Sequence, residues 1–543
     1  MASQPFPMNT LFYGDNLEVM EKHFQPDCID LVYLDPPFNS KADYNILFKE
    51  KSGKKSVAQA QAFSDSWTWD KTAEETYMRI QKDPHLGNMI TFLHGYLGKN
   101  DMMAYLVMMT IRLKKLHEVL KNTGSLYLHC DPTASHYLKI ILDNIFGVEN
   151  FRNEIVWKRT HAHSGAKRFG PVHDILFFYT KSDSYTWNMQ FLPYSEDYKD
   201  SFFRFKDKDG RSYRLTILTG SGVRHGSSGK PWRGYNPTTI ARHWAIPSYV
   251  RPLLGELQSS DVQEALEKLE RIGRIEWSKG GVPSFRQYED DMEGVHLQDI
   301  WVDLPPISSQ AKERLGYPTQ KPEALLSRII KSSSNEGDVV LDPFCGCGTT
   351  IMAAQELKRK WIGIDITHLA IALIRSRLKK VHVYVNKDYK IFGEPVDVAS
   401  AVKLAEDDKY QFQYWAVSLI DAFPMGQSSQ NPYGKKGADK GIDGWLTFKE
   451  GDNINLQRIV VQVKGGRNVG AGEVRDLIGT LQNTKSTMGI LINLDEPTKP
   501  MKIAAMEAGY YESPTWGHQY PKIQIISIPE LLLGKKPEIP HTR

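Results

Sequence analysis

Apolar positions in the first 190 residues follow two spacings, which predict alternating strands and helices. Short, mostly apolar runs predict buried strands at 11–13, 29–34, 125–130, 153–158 and 174–179. Helical spacing predicts helices over 17–24, 100–121 and 134–146, and Asn100 is a good N-cap for the second of them. Strands that alternate with helices in this way indicate an α/β sheet.

The same alternation returns after residue 300 and starts again after Pro395. The first of these regions has a predicted helix at 323–331, strands at 339–341 and 361–364, and a helix between them that ends near 358. The second has predicted helices at 411–422 and 474–483 and strands at 458–464 and 489–493. Residues 190–300 show one clear helix, 261–271. We therefore expect an α/β domain formed by 1–190 and 300–395, an insert at 190–300, and a second domain at 405–535.

The composition is that of an ordinary globular protein and excludes several classes. A chain of 543 residues is too long for one core, and 41% apolar with 24% charged residues argues against disorder. No run approaches about 18 apolar residues, and the first five residues lack a secretory signal pattern, so we expect no membrane association. The four cysteines fit neither a disulfide framework nor a paired zinc site, which favours a reducing, cytoplasmic setting.

The insert concentrates positive charge, although the formal net charge of the whole chain is only +4. From Arg204 to Arg242 there are nine basic residues and two acidic ones. The basic residues are Arg204, Lys206, Lys208, Arg211, Arg214, Arg224, Lys230, Arg233 and Arg242. The aromatic residues between them are Phe205, Tyr213, Trp232, Tyr235 and Trp244. Such a segment either neutralises phosphates and stacks on bases, or forms a solvated face with aromatic rings packed beneath it.

The strand at 29–34 ends at Asp35-Pro36-Pro37-Phe38, the most informative stretch of the chain. Two prolines fix φ and stiffen the turn, so a carboxylate, a backbone carbonyl and an aromatic face converge outside the sheet. That set suits a flat base with an exocyclic amine. Asp35 and the Pro36 carbonyl can each accept one amine N–H, while Phe38 stacks on the ring. The alternative is a proline-rich turn with an incidental acid.

A second informative stretch, Asp342 to Thr350, follows the predicted strand at 339–341. It is a Gly-rich turn between a strand and a helix, where missing side chains allow a nucleotide-like ligand to approach the backbone. Asp365 ends the next strand, about 20 residues further on, where an acid can accept hydrogen bonds from ribose hydroxyls. No P-loop sequence occurs, which argues against an ATP-driven motor.

These stretches together resemble the S-adenosylmethionine-dependent DNA amino-methyltransferases of the permuted β class. In that class the Asp-Pro-Pro-aromatic motif precedes the cofactor loop, with the target-recognition segment between them, as at 35–38, 190–300 and 344–348 here. Thr319-Gln320-Lys321-Pro322 resembles the motif at the methionine end of the cofactor, and Gly14-Asp15 the motif near its adenine. The implied fold is a Rossmann-like class I methyltransferase domain. The implied cofactor-binding residues are Asp15, Thr319, Lys321, Pro322, Asp342, Phe344, Gly346, Gly348, Thr349 and Asp365.

The resemblance implies direct methyl transfer to an exocyclic amine of a base flipped out of double-stranded DNA. The implied catalytic residues are Asp35, Pro36, Pro37 and Phe38. Asp in the first position, as opposed to Ser, resembles adenine-N6 enzymes more than cytosine-N4 enzymes. A cytosine-N4 methyltransferase is one alternative, and a DNA-binding protein with a vestigial cofactor site is another. The target sequence and the oligomeric state stay open, with a homodimer as one option.

The C-terminal third carries Asp443 and, about twenty residues later, Gln462-Val463-Lys464 on a predicted strand. On adjacent strands an acid can hold Mg²⁺ and a lysine can steady an attacking water or the phosphate charge. Residues 405–535 resemble the Mrr-like branch of the PD-(D/E)xK nuclease fold. The resemblance implies catalytic Asp443, Gln462 and Lys464, with Asp443 as ligand of Mg²⁺ if the domain cleaves. Gln462 stands where many relatives have an acid and no helical Glu is evident, so an inactive DNA-binding domain is the alternative.

Overall fold

A computed structural model of the chain describes residues 6, 8–37, 68–161, 167, 169–254, 261–291, 293–308, 310–315, 317, 319–425, 441–450, 456–466, 469–515 and 517–540. The chain divides into two compact units, Met1–Asn188 with Gln298–Arg543 and Met189–Leu297. Phe38, predicted to stack on a base, lies outside the described residues.

The helices and strands are numbered along the chain. The helices are α1 Asn16–His23, α2 Lys71–Gln81, α3 Gly87–Leu97, α4 Asp101–Val119, α5 Pro132–Phe146, α6 Glu196–Phe202, α7 Arg251–Leu254, α8 Val262–Arg271, α9 Glu323–Ser333, α10 Thr349–Glu356, α11 His368–Lys380, α12 Val398–Asp407, α13 Lys409–Leu419, α14 Ala471–Thr484, α15 Lys499–Glu507 and α16 Ile528–Leu532. The strands are β1 Asn9–Tyr13, β2 Ile29–Leu34, β3 Leu120–Cys130, β4 Phe151–Lys158, β5 His173–Thr180, β6 Phe191–Leu192, β7 Phe205–Lys206, β8 Ser212–Ile217, β9 Thr219–Ser221, β10 Arg242–Trp244, β11 Ile275–Trp277, β12 Pro283–Tyr288, β13 Val295–His296, β14 Ile300–Trp301, β15 Val339–Asp342, β16 Lys360–Asp365, β17 Tyr389–Phe392, β18 Phe423–Pro424, β19 Gly444–Lys449, β20 Leu456–Lys464, β21 Met488–Asn493, β22 Tyr510–Glu512, β23 Gln519–Pro521 and β24 Ile523–Ser527.

In the described residues, the first unit contains a nine-stranded sheet in the order β14-β4-β5-β3-β2-β15-β16-β1-β17. Its strands pair in parallel, except that β5 runs antiparallel to β3 and β4. Strand order reverses between β2 and β15, because β15 leads along the chain to β16 on one side while β2 continues to β3 on the other. Ligands of open α/β sheets bind in the crevice at such a reversal, beyond the carboxyl ends of the strands. The predicted α/β fold class is confirmed.

Side chains of the central strands enter two cores on opposite faces of this sheet. From β2, Val32 and Leu34 enter the core built with α1–α5, whereas Leu31 and Tyr33 enter the core built with α9–α11. These four side chains are at most 2% exposed. Full burial of one such side chain stabilises the fold by about 1.5–3 kcal/mol. Strand β2 is therefore held on both faces, which fixes the position at which Asp35 leaves the sheet.

The second unit is built around the four-stranded sheet β11-β12-β8-β7, with α8 packed on it. Trp232 and Trp244 are 4% and 1% exposed and form the centre of its core, together with Leu266 and Phe285. Phe205, in contrast, is 45% exposed. Trp232 and Trp244 therefore fit the predicted alternative in which aromatic rings pack beneath the basic face. Their rings are not free to stack on bases.

The C-terminal part of the first unit has its own sheet, β18-β19-β20-β21-β24. The last three of these strands are parallel, and β18 and β19 are antiparallel to their neighbours. Helices α12, α13 and α16 contribute to the core on one face of this sheet, and α14 and α15 to the core on the other. The result is a second α/β layer structure with a separate core.

The predicted helix at 411–422 is wrong in its bounds. The structure has two helices in this region, α12 and α13, which meet at Asp408. The backbone of Asp408 is extended, and its carboxylate accepts the N–H groups of Tyr410 and Gln411 at 3.0 and 3.1 Å. An N-cap therefore interrupts the helical pattern. Sequence periodicity also missed α2 and α3.

Within the described ranges, no helix is both long and apolar enough to cross a bilayer. All four cysteines are buried and free.

Candidate active site

The carboxyl ends of β2 and β15 lie side by side where strand order reverses, and each carries a sequence-predicted acid. Val32 of β2 pairs with Leu341 of β15, so Asp35 follows one strand end while Asp342 is the last residue of the other. Pro36 is buried and Pro37 half-buried directly after Asp35. The two predicted motifs, which are separated by about 300 residues of sequence, therefore meet at the crevice of the sheet.

The Asp35 carboxylate has two different environments. Its Oδ2 forms an ion pair with the Lys321 ammonium, and the two side chains are only 14% and 12% exposed. Its Oδ1 is buried and has no hydrogen-bond partner among the described residues. A buried acceptor without a donor costs about 1–3 kcal/mol, so this oxygen is suited to a donor brought by a ligand.

The Gly-rich loop (residues 343–348) joins β15 to α10. The carboxylates of Asp342 and Asp365 accept hydrogen bonds from its backbone. Asp342 accepts the Phe344 N–H at 3.0 Å and the Thr350 hydroxyl at 2.5 Å. Gly348 has φ +79°, and a Cβ there would lie 2.5 Å from Cγ1 of Ile374. The loop thus passes so close to α11 that a side chain at Gly348 does not fit.

Gly346 and Asp365 tie the Gly-rich loop to the end of β16. The Gly346 N–H donates to Oδ2 of Asp365 at 2.9 Å, while Oδ1 accepts the N–H and hydroxyl of Thr367 at 2.9 and 2.7 Å. The Gly14 N–H donates to the Asp365 carbonyl at 3.0 Å. Burial raises the pKa of Asp365 to about 6. Gly14, Gly346 and Asp365, which were all singled out in the sequence, therefore lie together beside the crevice.

The pH dependence of stability should reveal the buried state of Asp342. Burial raises its pKa from 3.8 to about 7, and the nearby Asp35 and Asp365 carboxylates add to the rise. Folding thus favours the protonated form, so the free energy of unfolding falls as pH rises from about 4 to about 7, at about 1.4 kcal/mol per pKa unit. We expect Asp342→Asn to remove most of this decline when unfolding midpoints are compared at about pH 5 and about pH 8. An unchanged decline in the variant would contradict this assignment.

The segment Thr319–Pro322 is anchored by contacts that sequence reasoning missed. The Gln320 side chain bridges the Leu315 N–H and the Glu313 carbonyl, at 2.8 and 2.6 Å. Arg377 of α11 is buried, donates to the Cys347 carbonyl at 2.7 Å and pairs with Glu323, the first residue of α9. Arg377 thereby connects the Gly-rich loop to the start of the helix that follows Lys321 and Pro322.

Asp15 is engaged within the protein. It is the N-cap of α1, accepting the Leu17 and Glu18 N–H groups at 2.8 and 3.2 Å, and its other oxygen accepts from Arg112 at 2.5 Å. Arg112 also donates to Asn16, whose amide donates to the Pro343 carbonyl at 2.8 Å. The structure therefore gives Asp15 a positioning role for the entrance of the Gly-rich loop. Direct cofactor binding by Asp15 stays a prediction.

A buried polar chain lies behind Asp35 and was not predicted. The Tyr33 hydroxyl is 3.0 Å from Nδ1 of His129, whose Nε2 is 3.1 Å from Asp174, and Asp174 lies 3.2 Å from Arg159. Burial, with the Asp35 charge adding, raises the pKa of Tyr33 well above its usual range. Tyr33, His129 and Asp174 lie on the adjacent strands β2, β3 and β5, and Arg159 follows β4, so no local sequence signal could have identified the chain.

The predicted nuclease residues gather at one end of the C-terminal sheet. The Asp443 carboxylate accepts the Val463 N–H at 2.6 Å, directly before Lys464, and Gln462 is 3% exposed. The Gly470 N–H holds the pKa of Glu473 low, and the Lys464 charge contributes. Within the described residues there is no group of three His, Cys, Asp or Glu side chains able to hold a metal ion.

The two α/β parts of the first unit contact each other directly. Helix α13 packs against α11, and Tyr414 lies in one apolar cluster with Cys347, Leu369 and Leu373. The Gln411 side chain accepts the His368 N–H at 2.7 Å, at the start of α11. The C-terminal part therefore supports the helix that lies against the Gly-rich loop.

The insert's basic residues divide into two groups. Arg211 pairs with Asp290 at 2.6 Å, and Arg233 with Glu267 at 2.8 Å. A second group is exposed and forms no ion pair with any described residue. Its members among the nine residues from Arg204 to Arg242 are Arg204, Lys206, Lys208, Arg224 and Lys230. The second group provides the positive charge available to a ligand.

The chain matches two known protein families. A protein-family model described as DNA methylase matches residues 29–376, more than half of the chain, including β2, the Gly-rich loop and Asp365. The chain belongs to this DNA methylase family. A second family model, described as restriction endonuclease, matches residues 405–513. The methylase domain is thus followed by a restriction-endonuclease-like domain, and the predicted family resemblance is confirmed for both parts.

Individual relatives agree with the family. The Type II methyltransferase M.EcaI of Enterobacter cloacae is 33% identical over 285 residues, 52% of this chain and 59% of that protein. The Mod subunit of the Type III restriction-modification enzyme StyLTI, from Salmonella typhimurium, is 26% identical over 368 residues, 65% of this chain and 50% of that protein. This chain therefore spans between half and three-fifths of the length of these two relatives. The solved PvuII DNA methyltransferase (cytosine-N4-specific) is 12% identical, with a TM-score of 0.30 over 67% of this chain and 84% of that one.

The site fits the S-adenosylmethionine implied by the methylase family. The Gly-rich loop follows β15 at the sheet reversal, and Gly348 lets it pass close to α11, because a Cβ there would lie 2.5 Å from Cγ1 of Ile374. Asp365 lies at the end of the next strand, and Lys321 provides a cation for an anionic group. The Asp35 oxygen without a donor lies at the same crevice. The residues that would hold the cofactor and the acceptor base therefore lie along one crevice.

Proposed function

We propose that this protein transfers a methyl group from S-adenosylmethionine to N6 of adenine in specific sites of double-stranded DNA. The observation that carries the proposal is the buried Asp35 oxygen without a donor, at the sheet reversal beside the Gly-rich loop. Its acceptor character suits an amine that must lose conjugation with its ring as it becomes nucleophilic. The family match and the named methyltransferase relatives support the reaction class.

The chain's own residues contribute mainly position and electrostatics. Bound S-adenosylmethionine supplies a methyl group on a sulfonium, which is already a good leaving group. Asp35 and the Pro36 carbonyl accept the two amine hydrogens and direct the nitrogen lone pair. Phe38 is proposed to stack on the flipped base. No covalent intermediate on the protein is required, so the buried cysteines have no part in the chemistry.

The choice of adenine rests on Asp35 occupying the first position of the Asp-Pro-Pro-aromatic motif. Cytosine-N4 methylation on the same scaffold is the second candidate, because both amines present two hydrogens to the same acceptors. A DNA-binding protein with a vestigial cofactor site is less well supported, since Asp35, Gly346 and Asp365 are all present and assembled.

Transfer of labelled methyl groups tests the proposal. Purified protein is incubated with S-adenosylmethionine carrying a labelled methyl group and with unmethylated duplex DNA of mixed sequence. We expect label in the DNA that saturates at a fixed number of sites. Binding of the cofactor without label in any DNA would contradict the proposal.

Duplex DNA is the proposed partner, and the insert is proposed to contact its phosphates. In the double variant Lys206→Gln/Lys208→Gln, the slope of log affinity for DNA against log salt concentration should become shallower by about two. Each exposed cation that contacts a phosphate releases about one counterion. The matched variant Arg211→Gln/Arg233→Gln should change the slope less, since these cations already pair with acids. Equal slopes of affinity against salt for wild type and Lys variant would contradict this role.

The C-terminal domain is proposed to cleave DNA with Mg²⁺ held by Asp443, which would make the chain a restriction–modification protein. The restriction-endonuclease family match and the gathering of Asp443, Gln462 and Lys464 support this proposal. Glu473 is the candidate for a second carboxylate: the Gly470 N–H that it accepts lowers its pKa, and the Lys464 charge adds to that lowering. A neutral Gln462 lowers the negative charge available to the metal, so weak Mg²⁺ affinity is expected.

Cleavage should disappear in Asp443→Ala and in Lys464→Ala. The first variant removes the proposed ligand of Mg²⁺ and the second the cation that faces the phosphate, so each should reduce cutting by at least about a hundredfold. Supercoiled and linear DNA with Mg²⁺ are the substrates, and methyl transfer by the same preparations is the control. Unchanged cutting in both variants, or none in the wild type, would favour the inactive DNA-binding alternative.

A further inference from the structure

Lys321 lies between the two halves of the proposed site. Its ammonium pairs with Oδ2 of Asp35 and also lies 3.4 Å from the Thr319 carbonyl. The Lys321 charge also acts on the Gly-rich loop. Burial raises the pKa of the Cys347 thiol there, and the charges of Arg377 and Lys321 oppose part of that rise. One largely buried cation therefore acts on both the proposed acceptor residue and the proposed cofactor loop.

The ion pair creates a chemical conflict for Asp35. In the state observed, Lys321 compensates a carboxylate that is 14% exposed and would otherwise be costly to bury. The same ammonium draws electron density away from the oxygens that must accept the amine hydrogens. An acceptor that is already neutralised by a close cation is a weaker acceptor for an incoming N–H. Lys321 must therefore have another partner when a base is held.

We propose that Lys321 is a positioning residue that exchanges partners: it holds Asp35 in the cofactor-free protein and turns to the α-carboxylate of the cofactor's amino-acid moiety, which releases Asp35 for the base. The inference rests on the proposed function and adds a coupling between its two sites. Because coupling free energies are reciprocal, filling the amino-acid site strengthens binding of the flipped base, and the reverse.

Two nucleosides separate the exchange from a merely structural lysine. S-adenosylhomocysteine carries the amino-acid moiety, and 5′-methylthioadenosine lacks it. Calorimetry on the full-length protein should show that Lys321→Met weakens S-adenosylhomocysteine by about tenfold or more and 5′-methylthioadenosine by less than about twofold. Asp35→Asn should do the opposite for S-adenosylhomocysteine, strengthening it by about threefold or more, because Lys321 no longer has to leave a carboxylate.

Controls keep the inference separate from folding and from the proposed function. Lys321→Arg keeps the charge and should retain most of the S-adenosylhomocysteine affinity, and unfolding midpoints identify any variant that fails to fold. If the wild type binds both nucleosides but Asp35→Asn binds S-adenosylhomocysteine no more tightly, the exchange is wrong and the proposed function stands. If the wild type binds neither nucleoside, the proposed function and the inference are both overturned.

Discussion

Replacing Asp35 by Ala is expected to reduce methyl transfer to duplex DNA by at least about a thousandfold while S-adenosylhomocysteine still binds. Asp35 follows β2 at the sheet reversal, and its Oδ1 is the buried acceptor that has no donor among the described residues. The variant removes this acceptor and leaves the Gly-rich loop and its contacts with Asp342 and Asp365 intact. Label incorporation into DNA and calorimetric cofactor affinity are measured on the same preparation.

A matched control for this variant is Asp183→Ala. The Asp183 side chain is 88% exposed, so the same substitution removes a surface carboxylate paired with Arg152. It should leave methyl transfer unchanged, since surface ion pairs contribute little. Equal loss of cofactor binding and methyl transfer in Asp35→Ala would contradict its role as acceptor of the base amine.

The second large effect is expected from Gly346→Val, which should damage cofactor binding first. Gly346 has φ +48°, a conformation that β-branched residues rarely adopt, and its Cβ would lie 3.3 Å from Cε1 of Tyr317. The strain of about 1–3 kcal/mol should shift the loop and the Gly346–Asp365 hydrogen bond, and so lower cofactor affinity by about tenfold to a hundredfold. Calorimetry with S-adenosylhomocysteine measures this loss.

Gly95→Val is the matched control for the loop variant. Gly95 lies in α3, and a Cβ there would meet no atom within 4 Å. The same added side chain should therefore leave cofactor affinity unchanged, with an unfolding midpoint close to that of the wild type. Normal cofactor binding by Gly346→Val would contradict the placement of the cofactor beside the Gly-rich loop.

The central sheet could be predicted from sequence because its strands are buried on both faces. The run at 29–34 is nearly continuous in apolar residues, and Val32 and Tyr33 indeed enter different cores. Proline and glycine then mark where β2 and β15 end, so Asp35 and the Gly-rich loop could be recognised as neighbours of strand ends. The local part of the site was therefore accessible to sequence reasoning.

The contacts that complete the site were not accessible in the same way. Lys321 and Asp35 are 286 residues apart in sequence, and Arg377 reaches both Cys347 and Glu323 from a third element. Such pairs depend on how the strands are ordered in the sheet, which the local pattern does not encode. The burial of the tryptophans in the insert could not be predicted either. Composition does not say whether an aromatic ring packs in the core or lies on the surface.

Mass spectrometry of nucleosides from treated DNA tests the central claim most directly. Unmodified duplex DNA is incubated with S-adenosylmethionine and either the wild type or Asp35→Ala, and then digested to nucleosides. The account predicts N6-methyladenine with the wild type and none with the variant. N4-methylcytosine would contradict the choice of base, and 5-methylcytosine, or no methylated nucleoside from protein that binds the cofactor, would contradict amine methylation by Asp35.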